Sequence, residues 1–231
     1  MSKKNILWLY VFLFATLADI AFILERKEEL RFFSKPLILI GLIAYFYQLS
    51  KPISGTLLSK SILAGLIFSW LGDVLLLWSD LFTYGLGSFF IAQVCYIIGF
   101  KVAQFNPNKL GRVNFVRVFL TNLPIYFFGA FIFYLISPNL GAMKIPVAIY
   151  IIAIVSMFTT AKDRFGNCHP ASFWQVFIGG ALFVISDAII AMDKYFQTYK
   201  DADVLIMGTY TTAQLLIVMG IRTHILHPIK K

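Results

Sequence analysis

Residues 57–78 read LLSKSILAGLIFSWLGDVLLLW, an apolar run with Lys60 near its start and a single carboxylate, Asp73, near its end. A run of this length crosses about 30 Å of hydrocarbon as one helix of roughly 20 residues. Its Leu, Ile and Phe are continuous and do not alternate with polar residues as in a barrel strand, so a helix is the form that satisfies its backbone in lipid. Gly65, Ser69, Gly72 and Asp73 follow i, i+4, i+7 and i+8, which puts a small, polar stripe on one side and Leu, Ile, Phe and Trp on the rest. That stripe is expected to face protein, with the carboxylate inside.

Comparable runs lie at about 6–24, 36–50, 82–102, 116–136, 145–161, 171–192 and 204–221. The chain is therefore expected to be all-α, a polytopic membrane protein of eight transmembrane helices forming one transmembrane domain over 1–231. Composition agrees: of 231 residues, 59% are hydrophobic, 17% aromatic and 13% charged, and the mean hydropathy is +0.80, whereas soluble domains carry roughly a quarter charged residues. Breakers separate the runs at Lys35-Pro36, Lys51-Pro52, Asn106-Pro107-Asn108, Pro138-Asn139, Ile145-Pro146, Gly166-Asn167 and His169-Pro170. The second and sixth runs are short. The first run lacks a small-residue cleavage site and ends at Glu25-Arg26-Lys27-Glu28-Glu29, so it is expected to be a mature helix and not a signal segment.

With the N-terminus inside, the inner segments hold 13 Lys and Arg (Lys3, Lys4, Lys51, Lys60, Lys101, Lys109, Arg112, Arg117, Lys162, Arg164, Arg222, Lys230 and Lys231) against 7 outside. That bias predicts cytoplasmic termini, in the inner membrane if the source is bacterial. The net charge of +9 then reflects this bias and contact with anionic lipid headgroups. No face with base-reading chemistry appears, so nucleic acid is not an expected partner. Cys95 lies in the fourth span and Cys168 in an inner loop, so no disulfide is expected between them, and no metal-ligand spacing is present. His169, His224 and His227 read as interfacial residues.

Ionisable groups at membrane depth are costly and point to function. Asp19, Asp73 and Asp187 each lie about five residues before the outer end of an odd-numbered span, which predicts a common depth. Gln175, Gly179, Phe183, Ser186 and Asp187 give the seventh span a stripe like that of the third, so Asp73 and Asp187 are expected to meet across the bundle. The two stretches also align: Gly65 to Asp73 on Gly179 to Asp187 at an offset of 114, with Ala92-Gln93 on Ala213-Gln214 at 121. This suggests a 4+4 parallel internal repeat, a feature of transporters and enzymes alike.

Four ordered stretches resemble the YhhN-like family, which includes lysoplasmalogenases: Phe33-Ser34-Lys35-Pro36-Leu37, Phe68-Ser69-Trp70-Leu71-Gly72-Asp73-Val74-Leu75-Leu76, Phe183-Val184-Ile185-Ser186-Asp187 and Tyr210-Thr211-Thr212-Ala213-Gln214. The chain departs from that pattern at Gln93, where relatives often carry a histidine.

The resemblance implies hydrolysis of the vinyl ether of a lysoplasmalogen, releasing a fatty aldehyde and glycerophosphoethanolamine or glycerophosphocholine, with no cofactor and no metal. Acid and base groups suffice for that chemistry, and Asp73 and Asp187 are the expected catalytic pair. Lys35, at the outer mouth of the second helix, is expected to hold the phosphodiester. Asp19, Ser69, Gln93, Ser186, Tyr210 and Gln214 are further candidates for substrate binding. The alternatives are a proton-coupled transporter or exporter of a small amphiphile, which would use discontinuous helices, and a scaffold with dispensable carboxylates.

Overall fold

The computed structural model describes residues 3–104 and 115–227. The turn expected at Asn106-Pro107-Asn108 and the basic residues Lys109, Arg112, Lys230 and Lys231 lie outside the described residues. Eight helices follow one another: α1 (Lys3–Leu24), α2 (Glu28–Ser50), α3 (Leu57–Leu75), α4 (Phe82–Val102), α5 (Phe115–Ile136), α6 (Lys144–Lys162), α7 (Pro170–Tyr195) and α8 (Ala202–Leu226). Among the described residues there is no strand. All eight helices are long and apolar enough to span a bilayer, and the protein is an integral membrane protein.

Local chemistry marks the helix starts. The Thr56 hydroxyl accepts from the Ser59 N–H to cap α3, and α7 opens on Pro170 with the ring of His169 accepting from the Ala171 N–H. Gly141 (φ +50) and Gly166 (φ +71) take the left-handed conformation in the turns before α6 and α7.

The second helix corrects one expectation. Lys35-Pro36 does not open it; α2 begins at Glu28 and carries Pro36 inside, at the cost of one internal hydrogen bond. Proline is tolerated there because α2 packs between α1 and α3, and the Trp70 indole N–H donates to the Pro36 carbonyl at 3.1 Å. Helices α2 and α6 are thus full-length, at 23 and 19 residues. None of the eight is interrupted among the described residues, so the discontinuous helices that a transporter would use are not seen there.

The tightest packing joins α1 to α2, α3 to α4 and α7 to α8. Glycine permits the close approach within the latter two pairs. A Cβ on Gly65 would stand 2.7 Å from the Tyr96 ring, and one on Gly179 would stand 2.9 Å from the Ala213 carbonyl and 3.0 Å from the Ile217 side chain. Gly65 and Gly179 are 114 apart and Tyr96 and Ile217 are 121 apart, the same two offsets seen in the sequence.

At the opposite end from Asp73, Arg164 is fully buried and ties three helices together. It donates to the Ala103 carbonyl that follows α4 (3.1 Å), to the Ser172 carbonyl (3.3 Å) and to the Ser172 hydroxyl (2.7 Å). Ser172 in turn donates to the Gly220 carbonyl of α8 at 2.7 Å. Burial lowers the guanidinium pKa to about 10, which leaves it charged at neutral pH. This loop cation therefore serves packing and not a lipid surface.

Candidate active site

The α3 stripe turns inward as the helical spacing predicts, with Gly65, Ser69, Gly72 and Asp73 buried; on α7, Gly179, Phe183 and Ser186 are buried while Gln175 and Asp187 are half-buried. Counted to the ends of the helices, the three positions are less uniform than expected. Asp19 lies five residues before the end of α1, Asp73 two before the end of α3 and Asp187 eight before the end of α7, because the helices end at different heights. The Asp73 charge nonetheless reaches Asp187, while Asp73 itself has Lys35, Tyr210 and Asp19 as its neighbours.

Asp73 is 3% exposed and sits at the end of a chain of donors. The Tyr96 hydroxyl donates to Gln214 Oε1 (2.7 Å), Gln214 Nε2 donates to the Tyr210 oxygen (3.3 Å), and the Tyr210 hydroxyl donates to Asp73 Oδ2 (2.8 Å). Every bond points toward the carboxylate. Lys35, two turns into α2, is half-buried and near enough to Asp73, Asp19, Arg31 and Asp203 to interact with their charges.

Asp187 has a different setting. The Tyr150 hydroxyl of α6 donates to its Oδ2, and both residues line an open cleft between α4, α5, α6 and α7. The rest of that lining is apolar apart from Tyr195 at the mouth, and includes Phe82, Phe89, Phe128, Ile154 and Val184. A second, open groove between α5 and α6 shares Gly129, Ile151 and Val155 with it. Phe89 borders the cleft and packs edge-on against Tyr210 and Phe183, which separates the apolar side from the hydrogen-bonded chain.

The remaining candidates divide. Gln93 and Ser69 are fully buried, and the Gln93 amide and the Ser69 hydroxyl make no hydrogen bond of normal geometry although Tyr150 and Tyr96 stand beside them. Buried polar groups in this state are unusual and are suited to hold a water or a reactant oxygen. Ser186 instead donates to the Ile206 carbonyl at 3.0 Å, joining α7 to α8. Asp19 is engaged with α2, accepting from Ser34 at 2.6 Å and lying 3.7 Å from Arg31. Arg31 also reaches Glu28 at 3.0 Å and Asp203 at 3.9 Å.

Residues 30–221 match the model of the YhhN family. The chain belongs to the YhhN family. Relatives include the lysoplasmalogenase TMEM86A of Bos taurus, 32% identical over 69% of this chain and 64% of the relative. The lysoplasmalogenase TMEM86B of Rattus norvegicus is 28% identical over 68% of this chain and 61% of the relative. A lysoplasmalogenase of Mycobacterium bovis is 27% identical over 67% of this chain and 58% of the relative. The match thus spans less than two thirds of these relatives' own length. No solved structure matches the chain. The YhhN match begins ahead of Lys35 and closes just after α8's buried stretch, so it takes in every residue of the two carboxylate settings.

Tyr150 and Tyr96 were not among the residues singled out from the sequence. The signal for both is position: tyrosines in membrane helices favour the two interfaces, whereas Tyr150 and Tyr96 lie within their spans, away from either end. A tyrosine there must spend its hydroxyl on a protein partner.

Proposed function

We propose that this YhhN protein is a membrane-embedded lysoplasmalogenase-like hydrolase that opens the vinyl ether of a lysoplasmalogen. The observation that carries the proposal is the apolar cleft that ends on Asp187 with Tyr150 hydrogen-bonded to it. Such a cleft suits one fatty chain, and its polar point is a carboxyl group with one oxygen held by Tyr150. The names of the relatives point to the same chemistry.

In the proposed reaction the Asp187 carboxylic acid donates its proton to the outer alkene carbon. The alkene π pair forms the new C–H bond, leaving an oxocarbenium ion between the inner carbon and the ether oxygen. A water held by the Gln93 amide, which stands beside Tyr150 at the edge of the cleft, attacks that inner carbon, and its proton passes behind Phe89 to Asp73, giving a hemiacetal. The hemiacetal hydroxyl then loses its proton to the Asp187 carboxylate as the C–O bond breaks, and the departing glycerol oxygen takes the proton from Asp73. One water is consumed; a fatty aldehyde and a glycerophosphodiester leave, and both carboxyl groups return to their starting states.

Within this scheme Asp73 is the carboxylate, with Lys35 as counter-ion and the Tyr96–Gln214–Tyr210 chain ending on it. Lys35 then has a role beside Asp73 as its counter-ion and not at the phosphodiester. Asp19 and Ser186 hold helices together in this account. Both termini are proposed to lie in the cytoplasm, from the basic bias of the inner segments, which puts the mouth of the cleft on the outer side.

The test is product analysis in D2O with a defined 1-alkenyl lysophospholipid and the purified protein. Carbon protonation by a solvent-exchanged acid predicts aldehyde carrying one deuterium on the carbon next to the carbonyl. Absence of aldehyde from folded protein would overturn the proposal.

A further inference from the structure

The charge on Lys194 has no carboxylate partner among the described residues, yet it is held in place. Its Nζ lies 4.2 Å from the centroid of the Phe82 ring and 5.9 Å from that of Tyr195. Those two rings meet edge-on at 6.2 Å, and both line the mouth of the cleft that holds Asp187. The neighbouring carboxylate, Asp193, accepts from the Tyr199 N–H at 2.8 Å. An exposed ammonium is thus held on two aromatic rings that line a cleft whose polar group is the Asp187 carboxyl.

Lys194 and Asp187 are seven residues apart on α7, so they share a face and are separated by two turns, about 10 Å along the axis. In a 1-alkenyl lysophospholipid, seven bonds lead from the outer alkene carbon to phosphorus, about 8 Å when extended at the advance per bond of an extended chain. The remaining gap is the length of a hydrogen bond between an ammonium and a phosphate oxygen. We infer that Lys194 is a phosphodiester-binding residue that holds the lysolipid headgroup at the mouth of the cleft while the vinyl ether rests on Asp187. This rests on the hydrolase function proposed above and adds the headgroup site that Lys35 does not supply.

The test separates binding from turnover. The ligands are a saturated 1-O-alkyl glycerophosphocholine, which has no alkene to protonate, and the 1-O-alkylglycerol of equal chain length, which lacks the phosphate. Titration calorimetry of the purified protein in one detergent gives the ratio of the two affinities. Wild type is expected to favour the phosphodiester; Lys194→Met should cut that preference about tenfold, and Lys194→Arg should keep most of it. With hydrolysable substrate the same Lys194→Met change should appear in KM and not in kcat. No preference in wild type, an unchanged preference in Lys194→Met, or equal weakening of both ligands would overturn the inference, the second being the result for a lysine that meets only bilayer phosphates. Failure of aldehyde release with the binding preference intact would instead contradict the hydrolase and leave this site standing.

Discussion

The Tyr150 hydroxyl of α6 donates to Oδ2 of Asp187 on α7, and the pair forms the polar point of an otherwise apolar cleft. Asp73, by contrast, receives its donor from Tyr210 of α8 away from that cleft. The two carboxyl groups therefore have unlike surroundings, one facing an apolar cleft and one facing a polar network. Unlike settings for two carboxyl groups are the arrangement that divides acid from base in hydrolases of acetal-type bonds.

Removing the Tyr150 hydroxyl should free the Asp187 carboxyl to rotate away from the alkene. Tyr150→Phe is expected to lower kcat about 10- to 100-fold, in line with the loss of one hydrogen bond to a charged or acidic group, with KM little changed. Steady-state aldehyde release checks it. An equal loss in KM alone would mean that Tyr150 acts on binding.

Gly65 offers an indirect route to the same network. A Cβ there would meet the Tyr96 ring at 2.7 Å, and the ring cannot yield without moving its hydroxyl from Gln214. Gly65→Ala should therefore cost about 1–3 kcal/mol of stability and also slow turnover, although it touches neither carboxylate. Thermal unfolding and activity per folded molecule, measured together, check both effects.

Gly129 sits where the cleft and the groove join, and a Cβ there would stand 2.9 Å from Val155 and 3.2 Å from Ile151. Gly129→Val is expected to narrow the route between α5 and α6. Long alkenyl chains should lose more in kcat/KM than short ones, and a chain-length series in mutant and wild type reads this out directly. A uniform loss across chain lengths would place the fatty chain elsewhere.

Asp19 is expected to behave as a stability residue. It is fully buried, with Ser34 and Arg31 on one oxygen, so Asp19→Asn leaves Arg31 with less compensation inside the bundle and should lower Tm. A substrate ligand would instead raise KM at unchanged Tm.

Much of this architecture was legible in the chain itself because lipid imposes strong rules. Apolar runs long enough to span must be helices, and the spacing of Gly65, Ser69, Gly72 and Asp73 assigned the inward face of α3 from the sequence alone. The start of α2 was not legible. Lys35-Pro36 reads as an entry by local preference, and only packing from α1 and α3, with Trp70 on the Pro36 carbonyl, lets the helix run through it. Tyr150 and Lys194 were missed for a related reason. Each acquires its meaning from a residue on another helix, Asp187 for one and Phe82 for the other, and no periodicity within a span encodes that meeting. Asp19 resembled the other two carboxylates in sequence but differs in its partners, which lie on α2.

The central claim is that Asp187 delivers the proton that opens a vinyl ether. The most direct measurement is aldehyde release from a defined 1-alkenyl lysophospholipid by purified wild type and by Asp187→Asn, with folding of each verified by its unfolding transition. The account predicts release by wild type and a loss of at least about a thousandfold in Asp187→Asn, the scale on which a positioned acid acts, with lysolipid still bound. Normal turnover by folded Asp187→Asn would contradict it.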